Sequence, residues 1–203
     1  MKKQTQEKEA EFEKEWLPIE KMLFKILTMI VLLADNHLAY RGTLTDMCKF
    51  LDVASRDSRT NAKIKTAIEN LEKSGKIKTI KDGNTWTLTL AKKAERDKQI
   101  IRIRKDWITA LRECDKYGVD WSASLKVWLY FIEHGNEITT NEKMREELAL
   151  SESTIVKAKK VLSGELWAIM TDKIVEKQGD GQYKCMGTWI SATAWITPRK
   201  EKV

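Results

Sequence analysis

The sequence predicts a mainly α-helical protein with small β-hairpins, in which two similar domains are joined by a long helix. Only two prolines and nine glycines occur among 203 residues, and so few helix-breaking residues favour long helices. Apolar residues recur at steps of three and four in several segments, which is typical of amphipathic helices. Two glycine-containing turns, at 82–83 and 179–181, each lie between strand-like runs and predict hairpins.

The composition favours a globular protein with an anionic partner. The formal net charge is +7, and the hydrophobic content of 42% is sufficient for well-filled cores. A basic surplus suits a negatively charged partner, of which phosphate backbones are the most common. We therefore expect a nucleic acid as the partner.

Several features predict a soluble, cytoplasmic protein. Cys48, Cys114 and Cys185 are widely spaced and odd in number, which favours reduced thiols over a disulfide framework. The first sixteen residues are charged throughout, unlike a signal peptide. The most apolar stretch, 22–34, is shorter than the about 20 residues that cross a bilayer. We expect no membrane contact.

The first long element is predicted to be an amphipathic helix. Residues 1–16 form either a charged tail or an extension of it, and Pro18 either kinks the helix or lies in the first turn of a new one. The apolar band is wide, which leaves two roles open: a core helix of the first domain, or a contact between two copies in a homodimer. The apolar positions that define its face follow heptad-like spacing: Phe12, Trp16, Ile19, Leu23, Ile26, Ile30 and Leu33.

Residues 17–90 are predicted to form the first domain. Thr43 caps a short amphipathic helix, and a polar, basic turn follows at 54–60. A second helix covers 61–75 and ends at Gly75. Two alternating strands around the first glycine-containing turn then form a hairpin. The second helix is expected to bury one stripe: Ile64, Ala67, Ile68 and Leu71.

Residues 91–117 are predicted to form one long connecting helix. Its first half is rich in lysine and arginine, and three roles stay open for it: a solvated connector, a contact with DNA backbone, or a homodimer contact. The apolar residues that support a helix recur at steps of three and four: Ile100, Ile103, Trp107, Leu111 and Cys114.

Residues 118–197 are predicted to form the second domain, followed by a basic tail at 198–203. A core helix ends near Gly135, and a capped short helix then runs to Leu148. A further helix starts at the Ser151 cap and is followed by a strand, a Gly-Asp-Gly turn and a second strand. The segments 163–171 and 187–197 receive no assigned role. The inward positions of the domain's helices are Leu125, Trp128, Leu129, Ile132, Ile155, Ala158 and Leu162.

The order helix, short helix, helix, hairpin resembles that of winged helix-turn-helix domains. The stretch Ile64–Ile77 is similar to the family's recognition helix closing with a glycine before the wing, and Leu150–Ile155 is similar to the apolar turn residue, serine cap and helix start. Two departures are a longer turn at 54–60 and Lys159 at a position that is usually apolar. A tandem arrangement is also similar to transcriptional regulators and to plasmid and phage replication initiators.

The resemblance implies that recognition helices near 60–74 and 151–162 enter the major groove of double-stranded DNA, with the hairpins as wings on the backbone or minor groove. Arginine suits guanine and asparagine suits adenine, whereas lysine, hydroxyls and a helix N-terminus suit phosphate. The predicted DNA-contacting residues are Arg56, Arg59, Thr60, Asn61, Lys63 and Lys65 in the first domain, Ser151, Ser153, Thr154, Lys157 and Lys160 in the second, and Lys81, Asn84, Lys177 and Gln182 in the wings.

An enzymatic role is not expected, and neither is a cofactor or a metal. His37 and His134 have no acidic or cysteine partner at catalytic spacing in the sequence, and no phosphate loop or metal signature occurs. We predict a sequence-specific DNA-binding protein that regulates transcription. The alternatives are a plasmid or phage replication initiator, an origin-binding or partition factor, and a protein–protein adaptor. The basic stretch 56–65 argues against an adaptor for the first domain, whereas Glu152 leaves that role open for the second.

Overall fold

The protein folds into two compact units of helices and small antiparallel sheets. The N-terminal unit holds Ala10–Phe12 and Ile19–Gln99, and the C-terminal unit begins at Ile100 and also includes Glu13–Pro18. From residue 165 onward only the backbone is described. A computed structural model of the chain describes residues 9–35, 38–55, 57–91, 99–113, 118–134, 138–165, 169–177 and 183–192.

The first described element is a strand, β1 (Glu9–Glu13), followed by a 3₁₀ turn at Lys14–Trp16. Ala10 and Phe12 are buried, whereas Glu9 and Glu11 are exposed. This period-two alternation selects an extended strand over a helix. The prediction of a helix face starting at Phe12, with a tail or helix extension before it, is therefore wrong over 9–16; residues 1–8 lie outside the described ranges.

Helix α1 (Lys21–Leu33) begins after Pro18, which lies in neither a kink nor a first turn. The run from Phe24 to Val31 is buried throughout, and this explains the width of the predicted apolar band. The helix is thus a core helix of the N-terminal unit. A homodimer contact through it stays a prediction.

The strand β2 (Ala39–Thr43) leads directly into α2 (Leu44–Leu51). Thr43 caps α2 as predicted: its hydroxyl accepts a hydrogen bond from the Asp46 amide at 3.3 Å, and Asp46 accepts one from the Thr43 amide at 2.9 Å. This reciprocal capping box satisfies two backbone donors that the helix itself leaves unpaired. The hydrogen bonds from Thr43 lower the pKa of Asp46, so its carboxylate stays charged at the positive end of the helix.

Helix α3 (Ser58–Lys73) starts inside the segment predicted as a turn, with Asp57 as its N-cap. Gly75 ends the helix region at φ +68°, a conformation that glycine adopts at low cost. The predicted inner stripe is confirmed, because all four of its members are buried: Ile64, Ala67, Ile68 and Leu71.

The predicted hairpin is present as β3 (Ile77–Asp82) and β4 (Thr85–Leu90). Asp82 pairs with Thr85, so the two-residue loop is Gly83-Asn84, with Gly83 at φ +55°. The strand β2 joins the outer side of β4, which gives a three-stranded sheet in the order β2-β4-β3. The Glu72 carboxylate of α3 accepts the Thr79 amide at 3.0 Å and ties the helix to the hairpin.

A single connecting helix over 91–117 is not formed. Ile100–Arg104 is a strand, β5, which forms a two-stranded sheet with β1, and α4 covers only Lys105–Glu113. Ile101 and Ile103 are buried on either side of the exposed Arg102, and isoleucine is β-branched and favours strands. Residues 92–98 and 114–117 lie outside the described ranges.

The C-terminal unit continues with α5 (Trp121–His134), the short strand β6 (Ile138–Thr139), α6 (Asn141–Leu148) and α7 (Glu152–Lys160). A π-helical turn at Val161–Glu165 extends α7. Two long strands then pair, β7 (Ile169–Lys177) and β8 (Tyr183–Ala192), and the sheet order is β6-β8-β7. These elements occupy most of the segments 163–171 and 187–197, which the sequence left unassigned.

Each unit buries a lysine on the helix that precedes its short capped helix, on α1 in the N-terminal unit and on α5 in the C-terminal unit. The ammonium group of Lys25 donates to the Leu51 carbonyl at 3.4 Å, and that of Lys126 donates to the Leu148 carbonyl at 3.4 Å. Both carbonyls end a short helix, where a positive charge interacts favourably with the helix dipole. Lys25 is 4% exposed and Lys126 is 2% exposed.

The predicted fold class is confirmed at the level of a mainly helical protein with small antiparallel sheets. Within the described ranges, no helix combines the length and the apolar character needed to cross a membrane.

The buried Lys126 gives a pH-dependent contribution to stability. Burial lowers its pKa to about 8, whereas an unfolded lysine titrates near 10.4. Between these two values the unfolded chain binds more protons, so this group makes the free energy of unfolding rise with pH, by up to about 3 kcal/mol. Urea unfolding at pH 7.5 and at pH 10.5 measures this change in the free energy of unfolding. We expect the rise in the wild type and its loss in Lys126→Met.

The exposed Lys160, in the same unit, supplies the control. Lys160→Met also removes one ammonium group, but it leaves the buried site intact. A stability difference between wild type and Lys126→Met that is equal at the two pH values would contradict the predicted titration.

Candidate nucleic-acid interface

The candidate interface is the side of α3 that faces away from the core. A helix turns by about 100° per residue, so burying one stripe fixes which side chains point outward. The first half of the outward face carries basic and small residues without a carboxylate, and Glu69 follows in the second half. The outward residues are Arg59, Ala62, Lys63, Thr66, Glu69, Asn70 and Lys73, and all are exposed.

Three predicted residues of α3 are available to a partner. Arg59 and Lys63 are four positions apart and therefore lie on the same outward side. Lys65 is also exposed, but it lies on the flank of the helix beside the hairpin, where it lines a cleft.

Thr60 and Asn61 use their polar atoms within the turn before α3. The Thr60 hydroxyl donates to Asp57 at 2.8 Å, and the Asn61 amide donates to the Ser55 carbonyl at 3.2 Å. The Asn61 side-chain oxygen also lies 3.5 Å from the Cys48 sulfur, which donates to it. These bonds hold the long α2–α3 turn in place, and contact of either residue with DNA stays a prediction.

Asp57 contributes a fixed negative charge at the start of α3. Hydrogen bonds from the Thr60 hydroxyl and the Arg59 amide lower the pKa of its carboxyl group. The carboxylate therefore caps the helix at neutral pH, and its charge also interacts with that of Lys63 on the outward face.

A cleft of about 330 Å³ lies where α2 begins, beside α3 and the hairpin. The ammonium group of Lys81 lies 5.4 Å from the centroid of the Trp86 ring, its cross-strand neighbour. None of the lining residues is acidic, and the polar ones carry hydrogen-bond donors. The cleft is lined by Thr43, Leu44, Thr45, Lys65, Lys81, Asn84 and Trp86.

Sequence reasoning missed part of this surface. Thr66 and Asn70 continue the outward line that begins at Arg59 and Lys63, and the helical step of three and four would have identified them. Thr45 and Trp86 line the cleft, but their proximity to Lys65 follows from the three-dimensional fold, and no local pattern signals it.

In the C-terminal unit, α7 also presents an exposed polar face. Ser151 caps the helix by accepting the Thr154 amide at 3.3 Å, and its hydroxyl lies 2.8 Å from that of Thr154 and 3.1 Å from that of Ser153. The predicted residues Ser153, Lys157 and Lys160 are exposed on the outer side, together with Val156.

Lys159, which departs from the apolar pattern, is half-buried. Its ammonium group donates to the Asn141 side-chain oxygen at 2.7 Å and lies 5.9 Å from the Phe131 ring centroid. Burial lowers the pKa of Lys159. The side chain thus fills an interior position while its polar end finds a partner.

Four further positions that the sequence singled out have no described side chain. Lys177 is the last residue of β7, and Arg56 and Gln182 lie outside the described residues, as does His37.

His134 has an acidic neighbour that the sequence did not reveal, because its Nε2 lies 3.3 Å from a Glu147 oxygen. In the described ranges, no group of three or more histidine, cysteine, aspartate or glutamate side chains could hold a metal.

No protein family and no curated protein matches this chain.

The contacts of Asn61 predict a structural role for its amide group. We expect Asn61→Ala to lower the free energy of unfolding by about 1 kcal/mol, since it removes hydrogen bonds that hold the α2–α3 turn. Urea unfolding measures the change. Lys63→Ala is the matched control, because this exposed side chain on the same helix should change stability by less than about 0.5 kcal/mol. Equal stability of both variants would contradict the structural role.

Proposed function

We propose that the protein binds double-stranded DNA in a sequence-specific way and regulates transcription, with α3 as the recognition helix of the N-terminal unit. The observation that carries the proposal is the basic outward half of α3, which lies beside a cleft lined by Lys65 and Lys81. A basic helix face flanked by further lysines matches the negative charge of a duplex.

The dimensions and chemistry of α3 suit the major groove. Its sixteen residues span about 24 Å, and a groove about 12 Å wide admits one helix. Arg59, in the first turn, can bind guanine through two hydrogen bonds, and Asn70 has the amide geometry that suits adenine. Lys63 between them suits a phosphate.

The cleft suits the sugar-phosphate backbone beside the groove. Phosphate oxygens accept hydrogen bonds, and the cleft offers the ammonium groups of Lys65 and Lys81, the Asn84 amide and the Thr45 hydroxyl. Backbone contacts of this kind fix the orientation of a recognition helix without selecting a sequence.

The order of elements supports a winged helix-turn-helix interpretation of the N-terminal unit. The chain runs α1, β2, α2, α3, β3, β4, and the hairpin of β3 and β4 follows the proposed recognition helix as a wing would. An adaptor function is less well supported for this unit, because the first half of the outward face carries an exposed arginine and an exposed lysine and no carboxylate. A target inside a replication origin, instead of a promoter, would favour an initiator.

The proposal is tested by binding of the full chain to random-sequence duplexes across a salt series, followed by selection of bound sequences. We expect an affinity that falls steeply with salt and an enriched motif. Arg59→Ala should weaken binding to the selected motif by about 10-fold to 100-fold, since one specific base contact contributes about 1–3 kcal/mol. Lys63→Ala should weaken binding to all sequences and reduce the salt slope by about one.

Lys49→Ala is the matched control. Lys49 is an exposed lysine of the same unit that lies outside both α3 and the cleft. Losses of equal size in Arg59→Ala, Lys63→Ala and Lys49→Ala would indicate attraction by net charge alone. If the full chain binds no duplex at low salt, the proposal is wrong.

A further inference from the structure

Several positions of α3 and α7 correspond when the two helices are aligned at their N-caps, Asp57 and Ser151. The third position after the cap is threonine in both, and in both its hydroxyl contacts the cap side chain, at 2.8 Å. The sixth and eighth positions are lysine in both helices. The seventh and eleventh are buried and apolar. The corresponding pairs are Thr60 and Thr154, Lys63 and Lys157, Lys65 and Lys159, Ile64 and Ala158, and Ile68 and Leu162.

The preceding short helices correspond in the same way, at a constant separation of 97 positions along the chain. Each begins at a threonine cap and buries a methionine and a leucine at equal distances from it. Each is followed by a residue with positive φ, at 53° in the N-terminal unit and 51° in the C-terminal unit. The corresponding pairs are Thr43 and Thr140, Met47 and Met144, Leu51 and Leu148, and Asp52 and Ala149.

The buried lysines are the most specific correspondence. Lysine is almost never fully buried, because removing its charge from water is costly. Here Lys25 of α1 and Lys126 of α5 are both buried on the helix that precedes the short capped helix, and each donates at 3.4 Å to the carbonyl of the leucine that ends the short helix. The strand orders also agree, since the strand before the short helix pairs with the last strand in each unit.

From these matches we infer that the chain is an internal duplication and that the C-terminal unit is a second binding site for duplex DNA, centred on α7. The inference rests on the proposed function of the N-terminal unit. Over Glu152–Lys160, α7 carries its outward side chains at the same offsets from its cap as α3 does, so it suits the same class of ligand. The retained Lys157, in the position of Lys63, supplies the matching phosphate contact.

The residues that differ between the two outward faces give the two sites different sequence preferences. Arg59, which suits guanine, is replaced by Ser153, whose hydroxyl discriminates less between bases. At the fifth position Ala62 is replaced by Val156, which is 37% exposed. A valine side chain in the groove suits the methyl group of thymine. The DNA target therefore contains two unlike elements, one with guanine and one with thymine.

Lys65 and Lys159 also differ in the surroundings of their ammonium groups. Lys65 lines the cleft of the N-terminal unit, whereas the ammonium group of Lys159 bonds to Asn141 inside the C-terminal unit. The second site thus offers one cation fewer beside its helix. The exposed Lys160 supplies a cation on the outer face instead.

The test uses the full chain and sequences selected from random duplexes. We expect a motif of two unlike elements, in which Arg59→Ser removes the preference in the guanine element and Val156→Ala removes it in the thymine element. Lys157→Ala should weaken binding to the two-element duplex several-fold but leave binding to the guanine element alone unchanged. Thermal unfolding of each variant checks that these exposed substitutions leave the fold intact.

The outcomes separate this inference from the proposed function. If Arg59→Ala abolishes binding while Val156→Ala and Lys157→Ala change neither affinity, motif nor footprint length, only the N-terminal unit binds DNA and the second site is overturned. If the wild-type chain binds no duplex, both proposals are overturned. A footprint that shortens on one side in Lys157→Ala supports the second site.

Discussion

Burial of one stripe of α3 against α1 is the constraint on which the proposed DNA surface depends. Each isoleucine or leucine in the stripe stabilises the fold by about 1.5–3 kcal/mol when removed from water. Because the helix is rigid, this burial also fixes the direction of Arg59 and Lys63 on the opposite side. Rotation by a single residue would turn these side chains by about 100° and move them off the outward face. The same packing therefore sets both the stability of the fold and the geometry of the proposed DNA surface.

Local bonds determine where this rigid helix begins and how it meets the hairpin. Asp57 and Asn61 hold the turn before α3, and Glu72 bonds to Thr79 at its other end. The cleft beside α3 exists because the helix is fixed at both ends while the two-residue loop at Gly83 brings Lys81 and Trp86 into register. Small changes in these contacts would alter the spacing of the lysines without changing the core.

Elements defined by local pattern could be predicted, whereas those defined by distant partners could not. The Thr43 cap, the buried stripe of α3 and Gly75 each follow from neighbouring residues, and the exposure of Arg59 and Lys63 follows from that stripe. The segment around Ile100 has spacing compatible with both helix and strand, and its strand pairs with β1 far away in sequence. The contact of Asn61 with Ser55 and the approach of Lys65 to the hairpin likewise depend on the folded turn and sheet.

The outward residues of α3 and α7 lie at the same offsets from their N-caps, so protein engineering can exchange them between the two helices. Three buried positions, the seventh, tenth and eleventh, fall at the same offsets from the two caps, so exposed residues of one helix can be grafted onto the other at matching offsets. Arg59, Ala62 and Thr66 transplanted to positions 153, 156 and 160 would give a chain with two like faces. If both units bind DNA as proposed, such a chain would favour targets built from repeated copies of one element, and the reciprocal graft would favour repeated copies of the other.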